Sequence, residues 1–470
     1  MNGAELLKPE TERERSDGPP ALLPSPERAT STLRKDGSRR WIDPVPAFGK
    51  WFGRRALAAW LLLGAFVLTP HLSLFGKPLA QLDLPARRFT FFGMTFLPTD
   101  TVLLALFMVS AGLAIALATA LFGRVFCGWG CPHTLVMEFV IRPIERMLKA
   151  GPGESPSPGK AALKTGLFFV TAWLLGNTIL AYFVGGATIR EWMMRSPLQH
   201  PGPFLLMAGM TLAFFFHVAY FREQLCVLAC PYGRLQSALL DRHSLIVAYD
   251  IKRGEPRGKG KRTDPALAIL GDCVDCGACT RCCPTGIDIR DGLQMECVNC
   301  TQCIDACDAV MTKIGKPTGL VRYASGAEIE GAPRKLLRAR TAAYPIALAI
   351  AATAFLTLLV LRPNFEATAL RNPGAPFTLA DDGRVRNIVR VKLTNRLDEP
   401  TEFTLTSASD GAELVSGAGP HAVPAGGMTL VPVEALADPK TFLAGGRELS
   451  IEITSGRNDR RTLQWRMLGP

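Results

Sequence analysis

The sequence predicts a multi-domain membrane protein. It has about five transmembrane helices, a cysteine-rich α+β insert ahead of the last of them, and an all-β domain at the C-terminus. Three observations predict it. Charge-free apolar stretches recur from Ala56 to Leu361, all 13 cysteines lie between residues 127 and 307, and the last hundred or so residues alternate apolar with polar side chains. At 470 residues the chain has room for about three domains. Hydrophobic residues make up 48% and mean hydropathy is +0.17, high for a soluble protein. A net charge of +12 could point to nucleic acid. Lys and Arg cluster beside the apolar stretches, however, so lipid and topology account for it and no nucleic-acid partner is expected.

Residues 1–40 are rich in Glu, Arg, Pro and Ser with little to bury, and read as a disordered cytoplasmic segment. No signal-peptide core appears there, so the first span is expected to act as an uncleaved anchor. A bilayer takes ~20 helical residues, and five stretches qualify: Ala56–Phe75, Thr101–Phe122, Thr165–Gly186, Gly202–Phe221 and Ala342–Leu361. None holds an Asp, Glu, Lys or Arg; Pro70 and His71 interrupt the first. Positive charge is dense before span one (Arg34, Lys35, Arg39, Arg40, Lys50, Arg54, Arg55), between spans two and three, and around the segment after span four. It is sparse in the alternate loops. The N-terminus is therefore expected in the cytoplasm and the C-terminus outside. Every cysteine then falls on the reducing side. The expected divisions are 1–40, 41–221 with four spans, 222–341 as the cytoplasmic cysteine-rich domain, 342–361 as span five, and 362–470 outside.

Cys127-Gly-Trp-Gly-Cys131-Pro132-His133 follows span two, and Cys226-Val-Leu-Ala-Cys230-Pro231-Tyr232 follows span four. The recurrence of C-x3-C-P at one membrane depth reads as an internal repeat of helix plus motif. Proline suits the first helical turn, so Cys131 and Cys230 should each start a helix, where the dipole favours thiolate. Cys127, Cys131, Cys226 and Cys230 are thus candidates for redox chemistry, as a site for Cu(I) or a further cluster. The plainer reading is four reduced structural cysteines. His133 could add a ligand or merely anchor at the interface. His217 lies inside span four, a position that marks functional candidates, though it could simply bond a neighbouring helix.

Residues 273–307 carry two C-x2-C-x2-C-x3-C runs, the spacing that binds [4Fe–4S] clusters in bacterial ferredoxins. The fourth cysteine of each run reaches the other run's cluster. That assigns Cys273, Cys276, Cys279 and Cys307 to one cluster, and Cys297, Cys300, Cys303 and Cys283 to the other. Zinc also takes four thiolates, but usually from two pairs set apart by a longer loop. Cys282 is surplus and reads as a packed side chain. The second run ends Cys307-Asp308 where the first ends in Cys-Pro.

Past Arg362 there is no cysteine. Val389, Val391 and Leu393 alternate with Arg390 and Lys392, and Leu449, Ile451 and Ile453, then Leu463, Trp465 and Met467, repeat the pattern. Short strands over about a hundred residues suggest an immunoglobulin-like β-sandwich without its disulfide. It reads as a docking module.

Four stretches together resemble the cytochrome c oxidase accessory protein family of the FixG/CcoG type. They are Cys127-Gly-Trp-Gly-Cys131-Pro132, Arg222-Glu-Gln-Leu-Cys226-Val-Leu-Ala-Cys230-Pro231-Tyr232, Ile251-Lys-Arg-Gly-Glu-Pro-Arg257 and Thr285-Gly-Ile-Asp-Ile-Arg-Asp-Gly292. The likeness runs from about Arg39 to the C-terminus. His133 stands where an amide is expected, and Cys282 is extra. The resemblance implies a bacterial inner-membrane protein that helps assemble the cbb3-type oxidase by reducing Cu(II) to Cu(I). Its implied partners are oxidase subunits or copper-delivery proteins, with an electron donor the sequence does not name; a homodimer is compatible with it. The residues alone lead as far as a membrane-embedded electron carrier facing the cytoplasm. An electron relay of the polyferredoxin kind, without copper, is the alternative, and a scaffold with structural clusters is a third reading.

Overall fold

The computed structural model describes residues 31–33, 38–149, 157–258, 270–409 and 411–470. Two compact units emerge, residues 1–72 with 108–350, and residues 73–107 with 351–470. Residues 73–107, inside the expected 41–221 segment, group with the C-terminal part.

Among the described residues five helices are long and apolar enough to cross a membrane: Lys50–His71, Pro98–Phe122, Pro158–Val184, Pro201–Phe221 and Ala339–Val360. Each expected span is present, with shifted ends. The first begins at Lys50 rather than Ala56 and closes in a 3-10 turn, Thr69–His71, instead of reaching Phe75. Its start is set by a residue far along the chain. The Asp305 carboxylate accepts hydrogen bonds from the backbone N–H groups of Trp51 (3.1 Å) and Phe52 (2.7 Å), which a helix start leaves unpaired. Gly49 makes the approach feasible, since a Cβ there would stand 2.5 Å from the Asp305 carboxyl carbon.

The earlier start brings Arg55 inside span one, where it is fully buried. Its Nε donates to the Gly128 carbonyl at 3.0 Å, and its Nη2 pairs with Glu138 at 2.9 Å. Gln302 Nε2 donates to the same carboxylate at 2.5 Å. Burial works against the Glu138 charge, but Arg55, then Arg142 and Gln302, hold its carboxyl below the usual carboxylate range. Spans three and four pack closely at Gly176, where a Cβ would lie 3.3 Å from the Met210 backbone.

After span four, Ile246–Tyr249 pairs antiparallel with Val321–Ala324, Ile246 opposite Ala324, to make a two-stranded sheet. Val247, Ile289, Ile304, Met311 and Val321 form one core between this sheet and the helix Gln302–Lys313. The expectation of disorder over 1–40 lies outside the described residues for 1–30 and 34–37. For 31–33 and 38–40 it is corrected. Thr32 is buried and its hydroxyl donates to Gln224 at 3.1 Å, while Arg39 pairs with Glu223 at 3.1 Å and stacks over Trp41. Ion pairing and a cation–π contact hold this stretch despite its polar composition.

In the other unit, Ala80–Asp83, Arg88–Phe91 and Met94–Phe96 form a three-stranded antiparallel sheet in what the sequence showed only as a connecting loop. The C-terminal domain has nine strands: β1 (Phe365–Arg371), β2 (Thr378–Leu379), β3 (Val385–Asn395), β4 (Thr401–Ser407), β5 (Ala412–Ser416), β6 (His421–Val423), β7 (Met428–Ala437), β8 (Gly446–Ser455) and β9 (Arg460–Leu468). One sheet runs β5-β7-β3-β1 with β2 also on β3, and the other runs β6-β4-β8-β9. Val389, Val391, Leu393, Leu449, Ile451 and Ile453 are all inward and buried, as the alternation requires, and the Phe365 and Phe403 rings meet at 5.1 Å between the sheets. In the same unit Asp100, buried at the start of span two, pairs with Arg362 (2.5 Å) and Arg396 (2.9 Å).

The Arg55–Glu138 pair generates a prediction. Glu138→Gln keeps the shape but leaves a buried guanidinium without its counter-charge, which costs about 3–5 kcal/mol. Unfolding of the purified protein in detergent should show that loss. A change under about 1 kcal/mol, the scale of an exposed pair, would contradict the burial.

Candidate metal and electron-transfer site

Two cavities in the cysteine-rich domain are each lined by one predicted quartet. Cys283, Cys297, Cys300 and Cys303 face one, with Val247, Thr285 and Ile289. Cys273, Cys276, Cys279 and Cys307 face the other, with Tyr249, Arg290 and Val321; Cys279 borders both. Cys283 lines the cavity of the second run's cysteines, and Cys307 lines that of the first run's. Cys282 lines neither cavity; it is buried and its thiol donates to the Cys279 carbonyl at 3.3 Å.

The backbone repeats as well. Asp275 (φ 49°) and Gly277 (φ 63°) in the first run match Asn299 (φ 53°) and Thr301 (φ 63°) in the second. Left-handed residues at equivalent places turn successive N–H groups into a concavity, the nest that suits an anionic group such as an iron–sulfur centre. Thr301 adopts this conformation with a β-branched side chain, which costs roughly 1–2 kcal/mol. Among the described residues no three of His, Cys, Asp and Glu converge as a single metal ion needs. A four-iron cube is wider than one ion, so thiols spread around a cavity suit it. Donor chemistry, nest and cavity all fit [4Fe–4S] clusters.

The two C-x3-C-P motifs share their local geometry too. Cys131 N–H donates to Phe126 O at 2.8 Å and Cys230 N–H to Leu225 O at 2.7 Å, the same closing bond in both. Cys131 caps the helix Pro132–Val136 and Cys230 caps Pro231–Leu239, each with proline in the first turn as expected. Burial, then Cys131 and Cys127, push the Cys226 thiol up to about 12. Cys127 is raised by burial while Arg124 acts to lower it.

The first motif lies against the loop of the Cys283/Cys297/Cys300/Cys303 quartet. Cys127 packs with Val298 and Cys300, and a Cβ on Gly128 would stand 2.5 Å from the Val298 carbonyl. Arg124 donates to the Met295 carbonyl and reaches Cys127 Sγ at 3.9 Å, while its guanidinium borders Gly233 of the second-motif helix. Gln236, also on that helix, accepts from the Cys127 thiol at 2.9 Å and donates to Tyr232 (2.6 Å) and Thr119 (3.2 Å). Gln236 and Arg124 were not singled out as site residues. Nothing around Gln236 in the sequence marks it, and Arg124 is one of the positive charges between spans two and three. Glycines inside C-G-W-G-C were the available signal for the close approach at Gly128.

His133 Nδ1 lies 3.2 Å from Cys226 Sγ, and its ring sits 4.8 Å from that of His217, centroid to centroid. Burial, then His217, hold the His133 imidazole down at about 4, neutral at physiological pH.

Two outcomes are expected from these contacts. Cys273→Ala should remove one cluster and about half the iron, because Cys273 lines only one of the two cavities; anaerobically purified protein with stoichiometric zinc and no iron would contradict the assignment. Gly128→Ala forces a methyl against backbone and should cost about 1–3 kcal/mol, read as a lower unfolding midpoint.

Residues 221–326 match a family model described as a 4Fe-4S dicluster domain, and residues 104–150 one described as a 4Fe-4S binding domain. Residues 355–470 match the Ig-like fold at the C-terminus of FixG. Protein RdxB of Cereibacter sphaeroides is 33% identical over 454 residues, covering 90% of this chain and 92% of its own. Protein RdxA of the same organism is 34% identical over 75% of this chain and 79% of its own. Nitrogen fixation protein FixG of Rhizobium meliloti is 32% identical over 78% and 79%. With that identity over most of both chains, and with both cysteine runs and the sandwich in place, the chain belongs to the FixG family and is a membrane-associated 4Fe–4S electron-transfer protein.

Proposed function

We propose that the chain reduces Cu(II) to Cu(I) for the copper centre of a cbb3-type oxidase. One observation carries the reading: Cys127 of the first C-x3-C-P motif packs on the loop that bears Cys297 and Cys300. When bound, a [4Fe–4S] centre supplies one-electron storage at a potential set by its surroundings. Cys283, Cys297, Cys300 and Cys303 would hold one such centre beside the first motif, and Cys273, Cys276, Cys279 and Cys307 the second behind it. Cu(II) needs one electron to become Cu(I). Thiolate favours Cu(I), whereas nitrogen and oxygen favour Cu(II), so Cys127, Cys131, Cys226 and Cys230 would raise the copper potential and draw the electron. Arg124 and Gln236 orient Cys127 toward both.

Charge density supports a bacterial inner-membrane location with the N-terminus and all cysteines in the cytoplasm and the sandwich outside. There the sandwich would dock oxidase subunits or copper-delivery proteins. A second reading, that the C-x3-C-P cysteines hold a further cluster, is favoured by the family match over 104–150, which includes Cys127 and Cys131. A relay to a membrane partner without copper is the alternative from another class.

Cys226→Ala or Cys230→Ala should abolish Cu(II) reduction while leaving iron content nearly intact. A fall in iron would favour the further cluster instead. Wild-type copper reduction in the variant lacking all four thiols would refute both. For topology, a reporter fused after Pro470 should be active outside the cytoplasm and one inserted at Gly258 inside; cytoplasmic activity of the first would overturn the orientation.

A further inference from the structure

Between spans one, three and four and the first-motif helix lies a cavity of about 350 Å³, within the roughly 300–1,000 Å³ of small-molecule sites. Its walls are apolar, chiefly Phe66, Val136, Leu175, Ile179 and Phe214, and its only ring nitrogens belong to His133 and His217. We propose that this cavity binds the neutral headgroup of a membrane-soluble quinone, with His133 and His217 as its hydrogen-bonding partners.

The chemistry of the wall selects the ligand. Among the described residues no Lys, Arg, Asp or Glu lines it, so a charged headgroup would be desolvated without a counter-charge. His133 Nε2 is buried without a hydrogen-bond partner, although Nδ1 meets Cys226. A buried imidazole nitrogen left open in an apolar cavity calls for a ligand atom able to hydrogen-bond. An acyl chain offers none. A metal ion would lack a third donor, since no such group converges among the described residues. A quinone offers oxygens on a flat apolar ring, and the Phe66 and Phe214 side chains supply the apolar surface for it. Its tail belongs in lipid, which is where three of the cavity's walls stand. The ligand would also rest beside the His133–Cys226 contact, at the edge of the thiol group, whether or not copper is the acceptor.

The test is saturable binding of decylubiquinone to the iron-loaded full chain in lipid nanodiscs, read by equilibrium dialysis. His217→Leu and His133→Leu should each weaken binding about tenfold, the effect of losing one buried hydrogen bond. His133→Gln, which restores an amide that can hydrogen-bond, should recover most of it. Ala213→Phe should abolish binding by filling the cavity, with iron content and unfolding midpoint unchanged as evidence of folding. Absence of saturable binding in the wild type would overturn the proposal. So would unchanged affinity in both His217→Leu and Ala213→Phe. Displacement of the quinone by Cu(II), with both imidazole nitrogens visible in its electron paramagnetic resonance spectrum, would show a metal site instead.

Discussion

One guanidinium fixes the arrangement of the cysteine-bearing unit. Arg55 rises from span one, bonds the Gly128 carbonyl inside the first C-x3-C-P motif, and pairs with Glu138 behind that motif. Glu138 in turn accepts from Gln302 at the head of the cluster helix. Membrane helix, motif and iron–sulfur fold thus meet at a single buried charge pair. Such a pair adds little net stability over apolar side chains of the same shape, because both ions lose their water. Its leverage lies in misplacement: any shift that parts the ions leaves an uncompensated charge inside the protein. Asp305 reinforces the registry one turn away by capping span one.

That registry explains why glycine stands at Gly123 and Gly128. A Cβ on Gly123 would lie 2.4 Å from the Leu245 carbonyl, and Gly123 already has a positive φ of 61°. Gly128 meets the Val298 carbonyl in the same way. At both points the chain leaving span two is pressed against the cluster domain, backbone to backbone. Only the smallest residue permits that closeness.

Much of this was legible in the sequence because its signals are local. The cysteine spacings at 273–307 mark two groups of four, each of which lines one cavity, and the alternation at Val389–Leu393 and Leu449–Ile453 fixes which side faces the core. The spans followed from apolar length. What stayed hidden was tertiary. Arg54 and Arg55 read as an interfacial pair preceding span one, since a charge at the edge of an apolar run ordinarily sits in water or headgroups; only Glu138, far along the chain, draws Arg55 inside. The sheet at Ala80–Phe96 has strands too short for a period to show. Gln236 is an unremarked amide on a short helix until Cys127 is placed against it.

The repeat between the two C-x3-C-P motifs is close in backbone and unequal in surroundings. Their closing bonds and helix caps coincide, yet Cys127 is held by Arg124 and Gln236 near the iron–sulfur loop, while Cys226 touches His133 on the side of the lipid-facing cavity. Burial raises both thiols. Arg124 offsets part of that for Cys127, whereas for Cys226 the neighbouring thiols add to it. In the absence of a cation, then, burial and the neighbouring thiols favour the protonated form of Cys226. Only a soft cation or a cluster iron can displace that proton at neutral pH. The asymmetry is one of place: the first motif packs on the loop that bears Cys297 and Cys300, while the second meets His133, which lines the apolar cavity between the spans.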